Sequence, residues 1–136
     1  VHVYTDGSAI PVTTGQAHGG AGVYWGPNSP RNMALSVPMP VTNNRAELFA
    51  VLHALLVASP YQPLRIHTDS EYAIRSICHW APKNAALGWT CANADMLQNI
   101  VDVLRTRPAA VSFAWVKGHA GNAHNEEADR LAREGA

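Results

Sequence analysis

"NNRAE" (residues 43–47) followed by "LFAVLHALLV" (48–57) is the stretch on which the fold turns. Upstream of it, apolar residues come in short runs broken by turn residues. From Asn44 onward Leu48, Val51, Leu52, Leu55 and Leu56 recur at helical spacing, and Pro60 ends the run. The stretch therefore marks the switch from strands to helices. It also places Arg45 and Glu47 in the opening of a helix whose neighbours must be buried. A helix cap is one explanation, since Glu47 follows Asn44 by three residues as in a capping box. A carboxylate aimed at something outside the helix is the other.

To the N-terminal side, "VHVYTDGSA" reads as a buried strand ending at the Asp6-Gly7 turn pair. "AGVYWG" and "MALSVPMP" read as two further strands, and the short connections make the three an antiparallel meander. To the C-terminal side, "LRIHTDS" is an apolar strand reached by a helical crossover, hence parallel to the first. "EYAIRSICHW" is a short helix stopping before Pro82, and "KNAALGWTCAN" is irregular. "ADMLQNIVDVLRT" is amphipathic, "AVSFAWV" is a last strand, "KGHAGNAHN" a glycine-rich loop and "EEADRLAREG" a closing helix. The expected architecture is a single α/β domain over residues 1–136: a mixed five-stranded sheet, three antiparallel strands then two parallel ones, flanked by helices.

Composition narrows the function classes. A chain of 136 residues that is 47% hydrophobic can bury one core and is not disordered. No apolar run reaches the ~18 residues a membrane span needs, and no signal peptide is visible. Both ends abut structural elements, so the sequence reads as a domain cut from a longer chain. Cys78 and Cys91 are too few for a disulfide framework, which points to a reducing, intracellular compartment. Ten basic and ten acidic residues cancel, so any nucleic-acid contact rests on a local patch.

Charged residues are only 15% of the chain, yet four carboxylates fall at strand ends and helix starts. Asp6 and Asp69 end two strands expected to be parallel, and so emerge at the sheet edge where α/β folds place their sites. Glu47 and Asp129 open helices. Taken singly, a turn explains Asp6, a cap explains Asp69 or Glu47, and the helix dipole explains Asp129. Taken together they converge, and clustered carboxylates repel unless a cation neutralises them. Oxygen-only donors suit Mg²⁺ or Mn²⁺, and two such ions ~4 Å apart serve phosphoryl transfer. His119, between Gly118 and Gly121, is placed to shuttle a proton near neutral pH. His119 and His124 do not make a zinc site, since there is no Cys pair and no H-E-x-x-H.

"YTDGS", "TNNRAEL", "HTDSEY" and "VKGHAGNAHNEEADRLAREGA", in this order and spacing, resemble the type-1 ribonuclease H family through essentially the whole chain. "GVYWGP" and the closing stretch are similar to eukaryotic members. The resemblance implies a ribonuclease H-like fold and cleavage of the RNA strand of RNA–DNA hybrids with two divalent ions, Mg²⁺ or alternatively Mn²⁺. It places the metal-binding carboxylates on Asp6, Glu47, Asp69 and Asp129, and the mobile histidine on His119. It implies that Glu47 points at a metal. Gly7 and Ser8 resemble the turn along the RNA minor groove, and Asn43 and Asn44 the pair reading 2′-hydroxyls and base edges. Tyr72 and Trp80 resemble an aromatic wall against the DNA sugars, with core packing as the alternative. Thr42 and Asn93 resemble parts of a DNA-phosphate pocket.

The sequence also departs from the family. Pro40 stands where a pocket arginine is usual, Asn84 where a channel tryptophan is, and the region of Val12 where an RNA-holding asparagine is. The segment from Ala81 to Asp95 is short and holds one lysine, Lys83, in place of a longer basic protrusion. The expected protein is monomeric, binds a hybrid duplex and no membrane, and needs either high enzyme concentration or a binding domain tethered to it in a longer parent chain. The rivals are a transposase or integrase core of the same fold and a hybrid-binding module without activity.

Overall fold

The structure, a computed structural model, describes residues 1–10, 18–38, 41–118 and 121–136. Val12, Pro40 and His119 lie outside the described residues. The five strands are β1 (His2–Ile10), β2 (His18–Tyr24), β3 (Met33–Val37), β4 (Leu64–Thr68) and β5 (Val111–Trp115). They form one sheet in the order β3-β2-β1-β4-β5. The β1–β2 and β2–β3 pairs are antiparallel, and the β1–β4 and β4–β5 pairs are parallel. The expected mixed sheet is therefore present.

Helix α1 (Asn43–Val57) packs on one face of the sheet with α4 (Ala94–Thr106), and α5 (Ala123–Gly135) packs on the other face. Strand alternation sets these faces. Val3 and Thr5 of β1 are fully buried, and Val3 joins Leu48, Val51, Ile66, Leu97 and Ile100 in the larger core. Tyr4 points the other way, against Tyr24, Ala128 and Leu131. Helix α5 lies unusually close to β2: a Cβ on Gly22 would stand 2.0 Å from the Ala128 carbonyl oxygen. Only a glycine admits that approach.

Several boundaries differ from the sequence reading: β2 is His18–Tyr24 rather than 21–26, β3 ends at Val37, and the stretch read as irregular begins inside a helix. Strand β1 does not end at Asp6-Gly7 but continues to Ile10, because β2 pairs with it as far as Ile10↔His18. Helix α1 starts at Asn43, and its cap is Thr42, whose Oγ1 accepts from the Arg45 amide at 3.1 Å. Asn44 is therefore not the cap, and Glu47 lies past the first turn, outside any capping box. The helix beginning at Glu71 does not stop before Pro82. Helix α2 (Glu71–Arg75) runs through a π-helical stretch, Ser76–Trp80, into α3 (Ala81–Ala86). Pro82 is the second residue of α3, directly after the π-helical stretch. Helix α5 opens at Ala123, capped by the Asn122 side chain at 3.0 Å from the Asn125 amide. His124 is thus helical, and Asp129 lies beyond the first turn, where the helix dipole no longer accounts for it.

Candidate active site

The pairing of β1 with β4 builds the site. Their parallel ladder ends at Thr5↔Thr68, so the next residue on each strand is a carboxylate, Asp6 or Asp69. Past that point β1 pairs only with β2, and β4 turns into α2. The turn leaves Asp69 free, because Ser70 does the capping: its Oγ accepts from the Ala73 amide at 3.0 Å. Trp115 of β5 steadies the same corner by donating its indole N–H to the Asp69 carbonyl at 3.2 Å.

Glu47 arrives from α1. At Gly7 the helix lies directly on the strand: a Cβ there would stand 2.3 Å from the Glu47 nitrogen. One donor atom each of Asp6, Glu47 and Asp69 lies within 4.8 Å of the others. Asp6 is 5% and Glu47 8% exposed, while Asp69 is half-buried. Burial, and then the neighbouring charge, disfavours ionisation. The Asp6 carboxyl is pushed up to about 7, first by desolvation, with Asp69 and Asp129 adding and Glu47 and the Gly7 amide opposing. Desolvation, and then the Asp6 charge, raises Glu47 well above the carboxylate range. Asp129 stands at the side of this triad. It is not among the three that gather within 4.8 Å, but it adds to the upward push on Asp6 and pairs with Arg133 at 3.0 Å.

The Glu47 Oε2 atom is buried without a hydrogen-bond partner. A buried, unpartnered carboxylate oxygen facing two further carboxylates is costly unless something positive meets it. The donor set is all oxygen, so the residues fit a hard divalent cation.

The expected substrate-binding residues fall into two groups. Asn43 ties the start of α1 to the end of β1, its Oδ1 accepting from the Ala9 amide at 2.9 Å, while Asn44 is exposed. Gly7 and Ser8 are in β1 beside them rather than in a turn. Further out, Tyr72 and Trp80 line one cleft of about 390 Å³ with Lys83 and Asn84. Trp80 is 45% exposed, so it is not a core residue. Thr42 and Asn93 are joined through Arg45, whose backbone amide is capped by Thr42 and whose guanidinium reaches Asn93 Oδ1 at 3.4 Å. The same guanidinium grips Asp95 with two hydrogen bonds of 2.9 and 2.6 Å. Asn93 in turn donates to the Tyr72 hydroxyl at 3.0 Å and holds a left-handed backbone, φ 58°.

Arg45 was the residue whose role the sequence reading missed. Its signal was a cation in the first turn of a helix, where the dipole disfavours it and a carboxylate partner is required. Asn125, buried one helical turn before Asp129, was missed too; its sequence signal was hidden by the misplaced start of α5.

Comparison with known proteins agrees with this geometry. The family model for RNase H matches residues 1–136. Ribonuclease H1 of Mus musculus is 37% identical over 142 residues, which cover 100% of this chain and 50% of that protein. Ribonuclease H of Caulobacter sp. (strain K31) is 36% identical over 138 residues, covering 98% of this chain and 87% of that one. Among solved structures, LC9-RNase H1, a type 1 RNase H with the type 2 active-site motif, superposes with a TM-score of 0.80 at 31% identity, over 99% of this chain and 71% of that chain. The foamy viral protease–reverse transcriptase, solved in complex with dsDNA, gives a TM-score of 0.81 at 25% identity, over 98% and 92%. The chain spans about half the length of the mammalian relative it matches. With the family model matched from end to end and the carboxylate triad assembled at the sheet edge, the chain belongs to the RNase H family.

Proposed function

We propose that this chain hydrolyses the RNA strand of RNA–DNA hybrids, leaving a 3′-hydroxyl and a 5′-phosphate. The observation that carries the reading is the triad of Asp6, Glu47 and Asp69 with its unpartnered buried oxygen. Those three carboxylates, with Asp129, would hold two Mg²⁺ ions, or Mn²⁺ in their place. Bound divalent ions supply Lewis acidity toward the scissile phosphate and lower the pKa of a water. The all-oxygen donor set would favour such hard divalent ions.

The surrounding residues have separate tasks. Asn43 and Asn44, with the Gly7–Ser8 backbone, face the minor groove and select the strand that carries 2′-hydroxyls. Asn43 is pre-set for this by its bond to Ala9, which leaves its amide N–H₂ free. Tyr72 and Trp80 pack against sugars of the DNA strand. Thr42 and Asn93, held together by Arg45, receive a DNA phosphate. His119 moves a proton to the departing oxygen or helps the product leave. The domain acts as a monomer, with any further grip supplied by other parts of a parent chain.

A duplex of DNA–RNA–DNA strand with a few ribonucleotides, annealed to DNA, tests the reading with Mg²⁺ and with Mn²⁺. Cutting confined to the ribonucleotides supports it. Cutting at DNA ends would instead indicate an integrase-like core, and binding without cutting a recognition module.

A further inference from the structure

The sheet face under α5 carries a second group of chemically capable side chains that the acid cluster does not use. Five rings follow one another along it: His2, His67, Tyr4, His124 and Tyr24. Successive centroids are 5.1, 4.4, 5.1 and 5.8 Å apart. They line one cavity of about 380 Å³ with Trp25 and Gly26. Within this row His67 lies almost flat on Tyr4, its plane tilted by 13°, which fixes its ring. Its Nε2 then meets Nδ1 of His2 at 2.8 Å. The two residues sit on neighbouring parallel strands, His2 pairing with Arg65 and His67 with Tyr4.

We infer that His2 Nδ1 and His67 Nε2 form a binding site for a late first-row transition ion, Ni²⁺ or Cu²⁺, distinct from the acid cluster. Whichever ring donates in the present hydrogen bond, the two nitrogens already face each other beside the cavity that both rings line. An ion takes the place of the bridging proton. Each neutral ring keeps its one N–H on the nitrogen turned away, His2 Nε2 and His67 Nδ1, so only a tautomer shifts and no proton is lost.

Donor type selects the ion: imidazole suits late first-row ions, among which Ni²⁺ and Cu²⁺ stand high in affinity. Two imidazole nitrogens ~2.0–2.1 Å from one metal stand about 2.9 Å apart at the right angle of square-planar or octahedral geometry, and about 3.3 Å apart in a tetrahedron. The present 2.8 Å is the hydrogen-bond separation, and a small opening of the pair reaches the first value. The ring rotation that directs both lone pairs at the ion falls to His2, which is exposed, while His67 stays on Tyr4. Among the described residues no third His, Cys or carboxylate joins the pair closely, so water fills the other positions from the cavity. Imidazole donors also reject Mg²⁺, which prefers oxygen. The two sites thus sort ions by chemistry, although His67 is only two residues from Asp69.

The test uses the chain with an acetylated N-terminus, so that the terminal amine beside His2 cannot chelate. Cu²⁺ is added to the Asp69→Asn form, which weakens competition from the acid cluster, and nitrogen coupling is read by electron paramagnetic resonance. Ni²⁺ affinity is measured by calorimetry on the same protein. Coupling to two nitrogens is expected, with His2→Ala or His67→Phe each removing one and weakening Ni²⁺ by roughly 10- to 100-fold, the scale on which metal sites lose affinity when their ligation is disturbed. His67→Phe keeps the stack on Tyr4, so a folding defect does not mimic the loss. Two-nitrogen coupling that persists in the double variant, or none in the parent, would overturn the assignment.

Discussion

Asp6 and Asp69 lie side by side at one level of neighbouring parallel strands, each one residue past the last ladder pair, Thr5↔Thr68. This register brings two carboxylates side by side, and Glu47 completes the group only because Gly7 lets α1 rest on the strand. The site is therefore held by backbone packing rather than by side-chain bonds among the acids.

Removing one of these charges should separate activity from folding. Asp6→Asn or Asp69→Asn is expected to abolish hybrid cleavage while the circular dichroism spectrum stays unchanged. Without metal, thermal stability should hold or rise, because a repelling group has been neutralised. Unfolding of both variants under native conditions would make the acids structural.

Protonation gives a second test. In the folded chain Asp6 titrates at about 7 and Glu47 well above its usual range. In the unfolded chain both fall near the ordinary value of about 4. The fold thus binds protons more tightly, and the resulting stability is complete below about pH 4 and lost as pH rises through about 7. With chelator present, Tm should be lower at pH 8 than at pH 5, less so in Asp6→Asn. Mg²⁺ should raise Tm more at pH 8. The same Tm at both pH values in the wild-type chain would contradict the raised titration of Asp6.

The close seat of α1 predicts the effect of Gly7→Ala. A Cβ 2.3 Å from the Glu47 nitrogen and 2.4 Å from the Ala46 carbonyl carbon must push the helix away. The expected loss is about 1–3 kcal/mol, typical of overpacking. Cleavage should fall as well, since Glu47 moves with the helix. Denaturant unfolding and a cleavage assay check the two parts, and wild-type values in both would show that α1 is not fixed at Gly7.

Substrate grip should be weak and only mildly salt-dependent. Five of the ten basic side chains are already engaged. Arg45 holds Asp95, Arg75 holds Glu71, Arg130 holds Glu127 and Glu134, Arg133 holds Asp129, and buried Arg107 donates to the carbonyls of Ser59, Gln62 and Ala109. Beside Trp80 the fixed cation is Lys83. Hybrid affinity of an Asp69→Asn form, measured across salt concentrations, should give a slope for about two to four phosphates. A steep slope with tight binding would reveal a basic surface not accounted for.

His119 is expected to act on turnover. Substitution by Ala should lower it by roughly 10- to 10⁴-fold, the span of general acid–base contributions, with a smaller change in hybrid affinity. Equal losses in both would make it a grip residue.

The mixed sheet was legible because period changes mark it plainly, and the gathering of Asp6, Glu47 and Asp69 because the crossover makes β4 parallel to β1. Where the reading failed, tertiary pairing outweighed a local signal. Asp6-Gly7 looks like a turn, but β2 continues the ladder past it to Ile10. Pro82 looks like a stop, but it falls where a new helical turn begins. Asn44 looks like a cap, yet Thr42 takes that position, while Asn43 bonds to Ala9 instead. The Arg45–Asn93–Tyr72 chain spans residues 21 to 48 positions apart, and no short motif encodes such a contact.

The central claim is that the carboxylates at the sheet edge cut RNA held in a hybrid. Its most direct test compares wild-type chain with Asp69→Asn on a labelled RNA strand annealed to DNA, in Mg²⁺, with both product ends identified. The account predicts internal cuts by the wild-type chain, each bearing a 5′-phosphate and a 3′-hydroxyl, and none by the variant. Equal cutting by both proteins, or products ending in a 2′,3′-cyclic phosphate, would contradict it.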